Sequence, residues 1–559
     1  MESPNDFEKN LFRHELFSLN GDQFLKKAYQ LILRRHADEP GIKHYRRILL
    51  KTGSKAQVAL DLLASQEGKR HPRWTEMRMV VRQQRRREFW SFRKAEHVFG
   101  EDLSPQVSSP SIPDAQGVGS EVTQKLIEQI GRVESRLIQI DRRLDTSYSQ
   151  RKLRPLGDAS SRYLFNLSTS NHWRAVPVGI IRVERELARY LSNFSNVDFM
   201  LWDMASRTPR RLVAHQVDHI LSDQWCDGQN GIVPYQSDML PTLEVTSAHT
   251  YVSIGLDWDH APTSQLVAYM KRFKARLVLA CYDTIPIFFP EFTVRQTLQQ
   301  EFRQHFVDMG HGADKVFAIS QSTKSDLMRF WNEAGLETEL PEIFTIPLGS
   351  YARASALPEL TSGEAGIVEE VFRKGEYVLY VSSFEPRKNH RLLLDIWRDL
   401  WLERGKDCPQ LVHVGMVGWG SNDLFARIPR MPAYINGKIN GLQHVSDNLL
   451  AHLYHNASFT VFPSLYEGWG LAATEALSFN KICVVSNNSA LPEATQGLMP
   501  AYHPLDFFGW KTEIERLLDD QPYRRVLEQR IKEQFRHQNW TNFSQSFCEH
   551  LAMENSDGQ

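Results

Sequence analysis

Cysteine is scarce in this chain: Cys226, Cys281, Cys408, Cys483 and Cys548 are the only five in 559 residues, and no two form a C-x-x-C pair. That spacing excludes a zinc ribbon or a disulfide scaffold and fits a reducing compartment. Long hydrophobic runs are missing too, none approaching the roughly 20 residues that span a bilayer. The opening MESPNDFEKN is polar and acidic, unlike a secretory leader. The expected location is therefore cytoplasmic, at most peripheral at the inner face of the cell membrane. Nor is there an excess of charge of one sign: 66 Lys and Arg face 67 Asp and Glu. Bulk charge points to no polyanionic partner, so any electrostatic targeting has to come from a local patch. A hydrophobic share of 42% suits a folded chain. The length exceeds the roughly 250–300 residues at which one core stops growing, so several domains are expected.

Three segments precede the part with enzyme-like texture. Residues 1–70 read as short amphipathic helices, FLKKAYQLILRR, IKHYRRILL and AQVALDLLASQE, broken at Pro40-Gly41 and at Gly53. The stretch resembles the small helical domain DUF4214, an accessory module. In 71–118, Arg78, Arg82, Arg85, Arg86, Arg87, Arg93 and Lys94 are interleaved with Phe89, Trp90 and Phe92, followed by a Ser/Pro/Gly-rich linker. The basic segment 78–94 fits a helix packed on a neighbour or a helix resting on an anionic membrane surface, at about 1 kcal/mol per basic residue. Nucleic acid is the least favoured of its partners. In 119–150, Val122, Leu126, Ile130, Val133, Leu137, Ile140 and Leu144 repeat in steps of four and three. That is a heptad seam for a coiled-coil homo-oligomer, or one face of a single packed helix.

From residue 160 onward short apolar runs alternate with amphipathic helical patterns. YLFNLS, YVSIGL and RLVLACY lead the first series; YVLYVSS, LVHVGMVG, FTVFPS and KICVVS form the second. This texture predicts an α/β protein of two doubly wound Rossmann-like domains, 160–350 and 351–559, facing a cleft. Ligands of such sheets sit beyond the carboxyl ends of the strands.

The richest stretch is FTVFPSLYEGWGLAATEALSFNKICVVSNNSALPEAT. A strand runs through a Gly468-Trp469-Gly470 loop into a helix beginning at Leu471, whose N–H groups and dipole favour a diphosphate or a sugar hydroxyl. Glu467 and Glu475 bracket the loop with seven residues between them. The arrangement resembles the E-x7-E motif of retaining family 4 glycosyltransferases with the GT-B fold. That resemblance implies Glu475 on the nucleotide ribose and Glu467 beside the donor sugar. YVLYVSSFEPRKNHRLLLDIW is similar to another family stretch. There Arg387 and Lys388 would neutralise the donor diphosphate, and Ser383 and Asn480 stand where relatives carry glycine. By the same resemblance Gly415 and Gly418 lie near the nucleotide and Val445 and Ser446 near its base. In the first domain, Gly179 and Arg182 in VPVGIIRVERELARYL would face the acceptor. Asp283 in ACYDTIPIFFPEF is expected at the reacting centre, with Tyr282 where many relatives have histidine.

Asp257-Trp258-Asp259 spells a D-x-D pair of the kind that holds Mg²⁺ or Mn²⁺ in another glycosyltransferase fold. Because Arg387 and Lys388 offer that countercharge, the expectation is a site without metal or other cofactor, and a loop contacting the acceptor at 257–259. The reading as a whole is hexosyl transfer, with retention, from a nucleotide-sugar (GDP-mannose first among donors) to a glycan or lipid-linked glycan in surface polysaccharide biosynthesis. The competing reading is a degenerate glycosyltransferase-like scaffold that assembles partners through its helical N-terminus.

Overall fold

In the computed structural model, the described residues are 21–33, isolated helical positions between 42 and 63, and 154–553 apart from 176, 227–232, 257, 259–260, 294–296, 337–339, 351–356, 419 and 421. Two compact units, Met1–Leu126 and Ile127–Gln559, are separable. In the first, helix α1 (Gly21–Ala28) runs into a π-helical turn at Tyr29–Leu33. Phe24, Ala28 and Ile32 lie one turn apart with Leu25 beside them, and all four are buried, as are Val58, Ala59, Leu62 and Leu63. The first expected amphipathic helix is present at Gly21–Ala28, and the described positions of the other two are helical. The basic segment 78–94, the linker and the heptad seam 122–144 lie outside the described residues, and so do Asp257 and Asp259. Among the described residues no helix is long and apolar enough to cross a membrane.

The second unit contains two sheets. Strands β1 (Arg162–Asn166), β2 (Val197–Asp203), β3 (Thr208–Arg211), β4 (His249–Ser253), β5 (Arg276–Cys281), β6 (Lys315–Ala318) and β7 (Glu342–Thr345) form one, in the order β3-β2-β1-β4-β5-β6-β7. It is parallel except for β3, a hairpin return on β2 at the edge. The second sheet takes β8 (Tyr377–Val381), β9 (Gln410–Val414), β10 (Ile439–Leu442), β11 (Phe459–Phe462), β12 (Cys483–Ser486) and β13 (Ala501–Tyr502) in the order β10-β9-β8-β11-β12-β13. Its central strands are uninterrupted apolar runs because helices cover both faces; β11 and β12 are buried along their whole length.

The strand order fixes where a ligand can enter. In the second sheet the chain moves outward from β8 through β9 and β10, then jumps back to β11 on the other side. β8 and β11 therefore flank the switch point, and the loops leaving them diverge over one crevice. In the first sheet the corresponding pair is β1 and β4. The helices the site uses are α2 (Ile180–Leu191), α3 (Leu298–Gly312), α4 (Gln321–Glu333), α5 (His390–Arg404), α6 (Asp447–Asn456), α7 (Leu471–Ser478) and α8 (Trp540–Ala552).

The boundary between the domains needs one correction. Residues 351–559 do not all belong to the second domain: α8 returns to the first. Trp540, Phe543, Phe547 and Leu551 share a buried cluster with Phe317, Phe344 and Leu187. The crossing is tied where the Ser350 amide donates to the Gln538 carbonyl at 2.9 Å. A helix that follows an α/β domain looks local to it in sequence, but the apolar stripe of α8 packs on a face of the other sheet. Phe547 packs on Phe317 and Phe344 at 5.3 and 5.5 Å between ring centroids. Phe547→Ala should thus lower unfolding stability by about 3–5 kcal/mol in denaturant titration. A loss below about 1 kcal/mol would mean that the helix is not part of this core.

Candidate active site

Arg387 and Lys388 lie in a one-turn 3₁₀ segment, Pro386–Lys388, between β8 and α5. The helix that follows begins at His390, after Asn389 takes a left-handed φ of 58°. Asn389 secures that turn by donating its side-chain amide to Pro463 O (3.0 Å) and Pro504 O (2.8 Å). The loop after β11 closes from the other side, with Leu465 N donating to Arg387 O at 2.8 Å.

Glu467 then meets both cations. Its Oε1 is 2.7 Å from an Arg387 nitrogen and 2.6 Å from Lys388 Nζ, and all three side chains are largely buried. Arg387 also donates to Tyr466 O at 2.8 Å. Burial alone would push the Glu467 carboxyl up; Arg387 and Lys388 outweigh it and hold it at about 2. Burial and the neighbouring Arg387 lower Lys388, while Glu467 opposes them. Ser383, at the start of this loop, donates its hydroxyl to Glu385 at 2.7 Å, and Glu385 faces Arg387 at 3.7 Å.

Gly468 brings the first domain against this cluster. A Cβ at 468 would stand 2.1 Å from Tyr282 O and 3.2 Å from Asp283 Cβ, so any side chain there would force the domains apart. Thr323 on α4 shares its hydroxyl between Tyr282 O and Gly468 O, each at 3.3 Å. The Tyr466 hydroxyl donates to Asp326 on the same helix, and its ring lies 4.7 Å from Phe289. Trp469 is buried among first-domain apolar residues, with Leu471 against the same cluster. Asp283 therefore sits beside the charge cluster, its carboxyl raised by burial and pulled back in part by Arg387. It accepts a hydrogen bond from Ile285 N at 3.0 Å. Tyr282 donates its hydroxyl to Ile254 O at 2.6 Å, so it is held in the scaffold of the first domain.

A second group lies one helix away. Gly470, at φ 109°, starts α7, on which Glu475 receives the Tyr454 hydroxyl at 3.1 Å. Burial raises the Glu475 carboxyl and Arg182 partly offsets that rise. Arg182 reaches across from α2, 3.7 Å from Glu475 and 3.3 Å from Asp447. Gly179 precedes that helix as its N-cap. Gly415 packs against the Ser382 carbonyl, where a Cβ would be 1.8 Å away. Val445 lies partly buried on the second domain's core, just before Ser446, whose hydroxyl caps α6.

Thus Arg387, Lys388, Glu467, Gly468 and Asp283 converge on one junction, and Arg182 and Glu475 form an ion pair beside α7. Pattern reading did not single out Tyr466, Asp326, Thr323 or Asp447. Each acts through a partner more than a hundred residues away, and nothing local marks such a contact.

Residues 367–534 match the family model described as glycosyl transferases group 1. An O-antigen chain mannosyltransferase B of Escherichia coli is 34% identical over 166 residues, which is 30% of this chain and 43% of that protein. Serotype-specific mannosyltransferase WbdA of Escherichia coli is 25% identical over 289 residues, 50% of this chain and 34% of that protein. The chain thus spans less than half the length of these curated relatives. A solved structure described as trehalose-6-phosphate from Escherichia coli bound with UDP-2-fluoro glucose superposes with a TM-score of 0.50 at 12% identity. It is matched over 70% of this chain and 99% of its own, and this likeness shows the fold, GT-B.

The charge cluster has a pH signature. A carboxyl held at about 2 in the folded protein, against an ordinary 4.5, adds stability that is full above pH 4.5 and fades as pH falls toward 2. The stability gap between wild type and Glu467→Gln should be largest at neutral pH and narrow over that window, by on the order of 3 kcal/mol. Denaturant titrations from pH 7 to 2.5 measure it; a gap constant with pH would rule out the buried ion cluster.

Proposed function

We propose that this chain is a retaining hexosyltransferase that moves a mannosyl group from GDP-mannose to a sugar hydroxyl of a glycan or lipid-linked glycan in O-antigen-type polysaccharide synthesis. The observation that carries this reading is the convergence of Arg387, Lys388 and Glu467 on one buried point, beside Asp283 of the opposite domain. The matched family over 367–534 and the partial likeness to mannosyltransferases support the donor class.

In the proposed reaction the bond between the donor's anomeric carbon and the diphosphate breaks, and its electron pair leaves with the phosphate oxygen. Arg387 and Lys388 face the charge that grows there, so no metal is called upon for it. The acceptor oxygen bonds to the same face of the anomeric carbon, and its proton passes to the departing phosphate. Glu467 orients the two cations and stabilises positive charge at the sugar. Glu475 accepts from the ribose hydroxyls, and Asp283 accepts from the incoming sugar. Contact between the Gly468 loop and the first domain keeps water from the donor.

Lys388→Ala should cut the rate of transfer from GDP-mannose about 10²–10³-fold. Wild type should be stabilised by about 2.7 kcal/mol when the donor is supplied at 100 times its dissociation constant. Steady-state transfer with labelled donor and a thermal-shift panel of GDP- and UDP-sugars test both. If wild type and Glu467→Ala are equally inert and no nucleotide shifts the melting point, the scaffold reading replaces this one.

A further inference from the structure

Where the two sheets' loops meet at the charge cluster lies a cavity of about 220 Å³, lined by both domains, whose lining includes Asp283, Glu385 and Arg387. Its chemistry is divided. Those three charged groups come from the loops that follow β5 and β8. Ile180, Ile285, Phe292, Leu298, Phe302 and Phe306, drawn from α2, α3 and the turns after Asp283, supply an apolar share of the lining, with three of the phenylalanine and leucine positions on α3. The hydroxyls that also border the cavity are engaged: Tyr282 donates to Ile254 O at 2.6 Å and Thr293 donates to Pro290 O at 2.7 Å.

We infer that this cavity is an acceptor subsite for a sugar bearing an apolar substituent on its ring, such as a 6-deoxy methyl or an O-methyl group, with that substituent against the phenylalanine wall. The inference rests on the proposed transferase reading and names the kind of acceptor that it would use. Size permits it, since a cavity of roughly 150 Å³ holds benzene, leaving room here for a substituent and one edge of a pyranose. Chemistry directs it. An unsubstituted hexose has hydroxyls on every edge, and one turned to this wall would lose its hydrogen bonds to water without replacement. Turned toward Asp283, Glu385 and Arg387, the same hydroxyls find partners.

A prenyl chain is the other apolar source in such acceptors, and charge argues against it. It would be joined to the sugar through a diphosphate, which would have to sit between the sugar and the apolar wall. Arg387 is the only cation among the described lining residues, and the carboxylates of Asp283 and Glu385 accompany it. Direct attachment of the apolar group to the sugar avoids carrying an anion past them.

The test compares methyl mannoside, its 6-deoxy analogue, its O-methyl analogues and a mannosyl prenyl diphosphate as acceptors, with GDP-mannose or UDP-glucose as donor. Donor hydrolysis without acceptor is measured alongside. At least one substituted mannoside should exceed the parent in kcat/KM by about four- to tenfold, the range for one buried methyl. Leu298→Ser, on a partly buried wall position, should erase that preference while donor hydrolysis persists; Phe292→Ala serves if the first variant folds poorly. Equal use of all mannosides, a preference that survives both variants, or use of the prenyl diphosphate alone overturns the subsite. Failure of hydrolysis and transfer with both donors would instead remove the transferase reading, and the subsite with it.

Discussion

One carboxylate between two cations, Glu467 with Arg387 and Lys388, is the contact on which this molecule's cleft depends. Three charges taken out of water each carry a desolvation cost of several kcal/mol, and only close geometry with further hydrogen bonds offsets it. Distances of 2.6 and 2.7 Å supply the geometry. The fold supplies the rest, because the two loops leave neighbouring strands at the switch point of the sheet. Leu465 N and Tyr466 O then hold Arg387 from both sides of its own backbone and side chain. A sheet with another strand order would put these loops on opposite sides of the crevice.

The same loop also forms the seam between the domains. Gly468 lies under the Tyr282 carbonyl, Tyr466 reaches Asp326, and Trp469 fills a gap in the first domain's core. Electrostatic preorganisation and domain closure are thus one structural feature. Any movement that opens the cleft must also disturb the backbone that carries Glu467. Conversely, whatever fixes Arg387 fixes the position of the first domain over it. Asp283 gains its surroundings in this way, since nothing in its own strand brings a cation near it.

Much of this was legible in the sequence because it is local. Strand-loop-helix punctuation located β8, β11 and the two loops, and the family resemblance singled out Arg387, Lys388 and Glu467, though not their mutual contact. Asn480, where the family resemblance leads to an expectation of glycine, takes φ 59° after α7, a left-handed conformation that asparagine adopts more readily than most side chains. The departure in residue type therefore leaves the turn intact. Ser383, another such departure, turns its hydroxyl into a support for Glu385. What could not be read is long-range. The return of α8 to the first sheet depends on which apolar face lacks a cover, a property of the assembled domains. Tyr466 and Asp326 are 140 residues apart, and only the closed cleft makes them partners.

Arg182 extends the argument from architecture to selectivity. It leaves the first domain to lie between two acids of the second, 3.3 Å from Asp447 and 3.7 Å from Glu475. Under the proposed reading, a ligand that enters here competes with an ion pair already formed. A neutral sugar can offer hydroxyls to Glu475 but no anion to Arg182. A simple anion can satisfy Arg182, yet it meets the repulsion of both carboxylates. A nucleotide-sugar whose diphosphate is held by Arg387 and Lys388 is anchored elsewhere, and its ribose can then offer hydroxyl donors to Glu475 in place of Arg182. Selectivity for a ligand carrying both a diphosphate and a ribose then comes from the cost of separating Arg182 from Glu475, a cost that a ribose without that second anchor cannot offset.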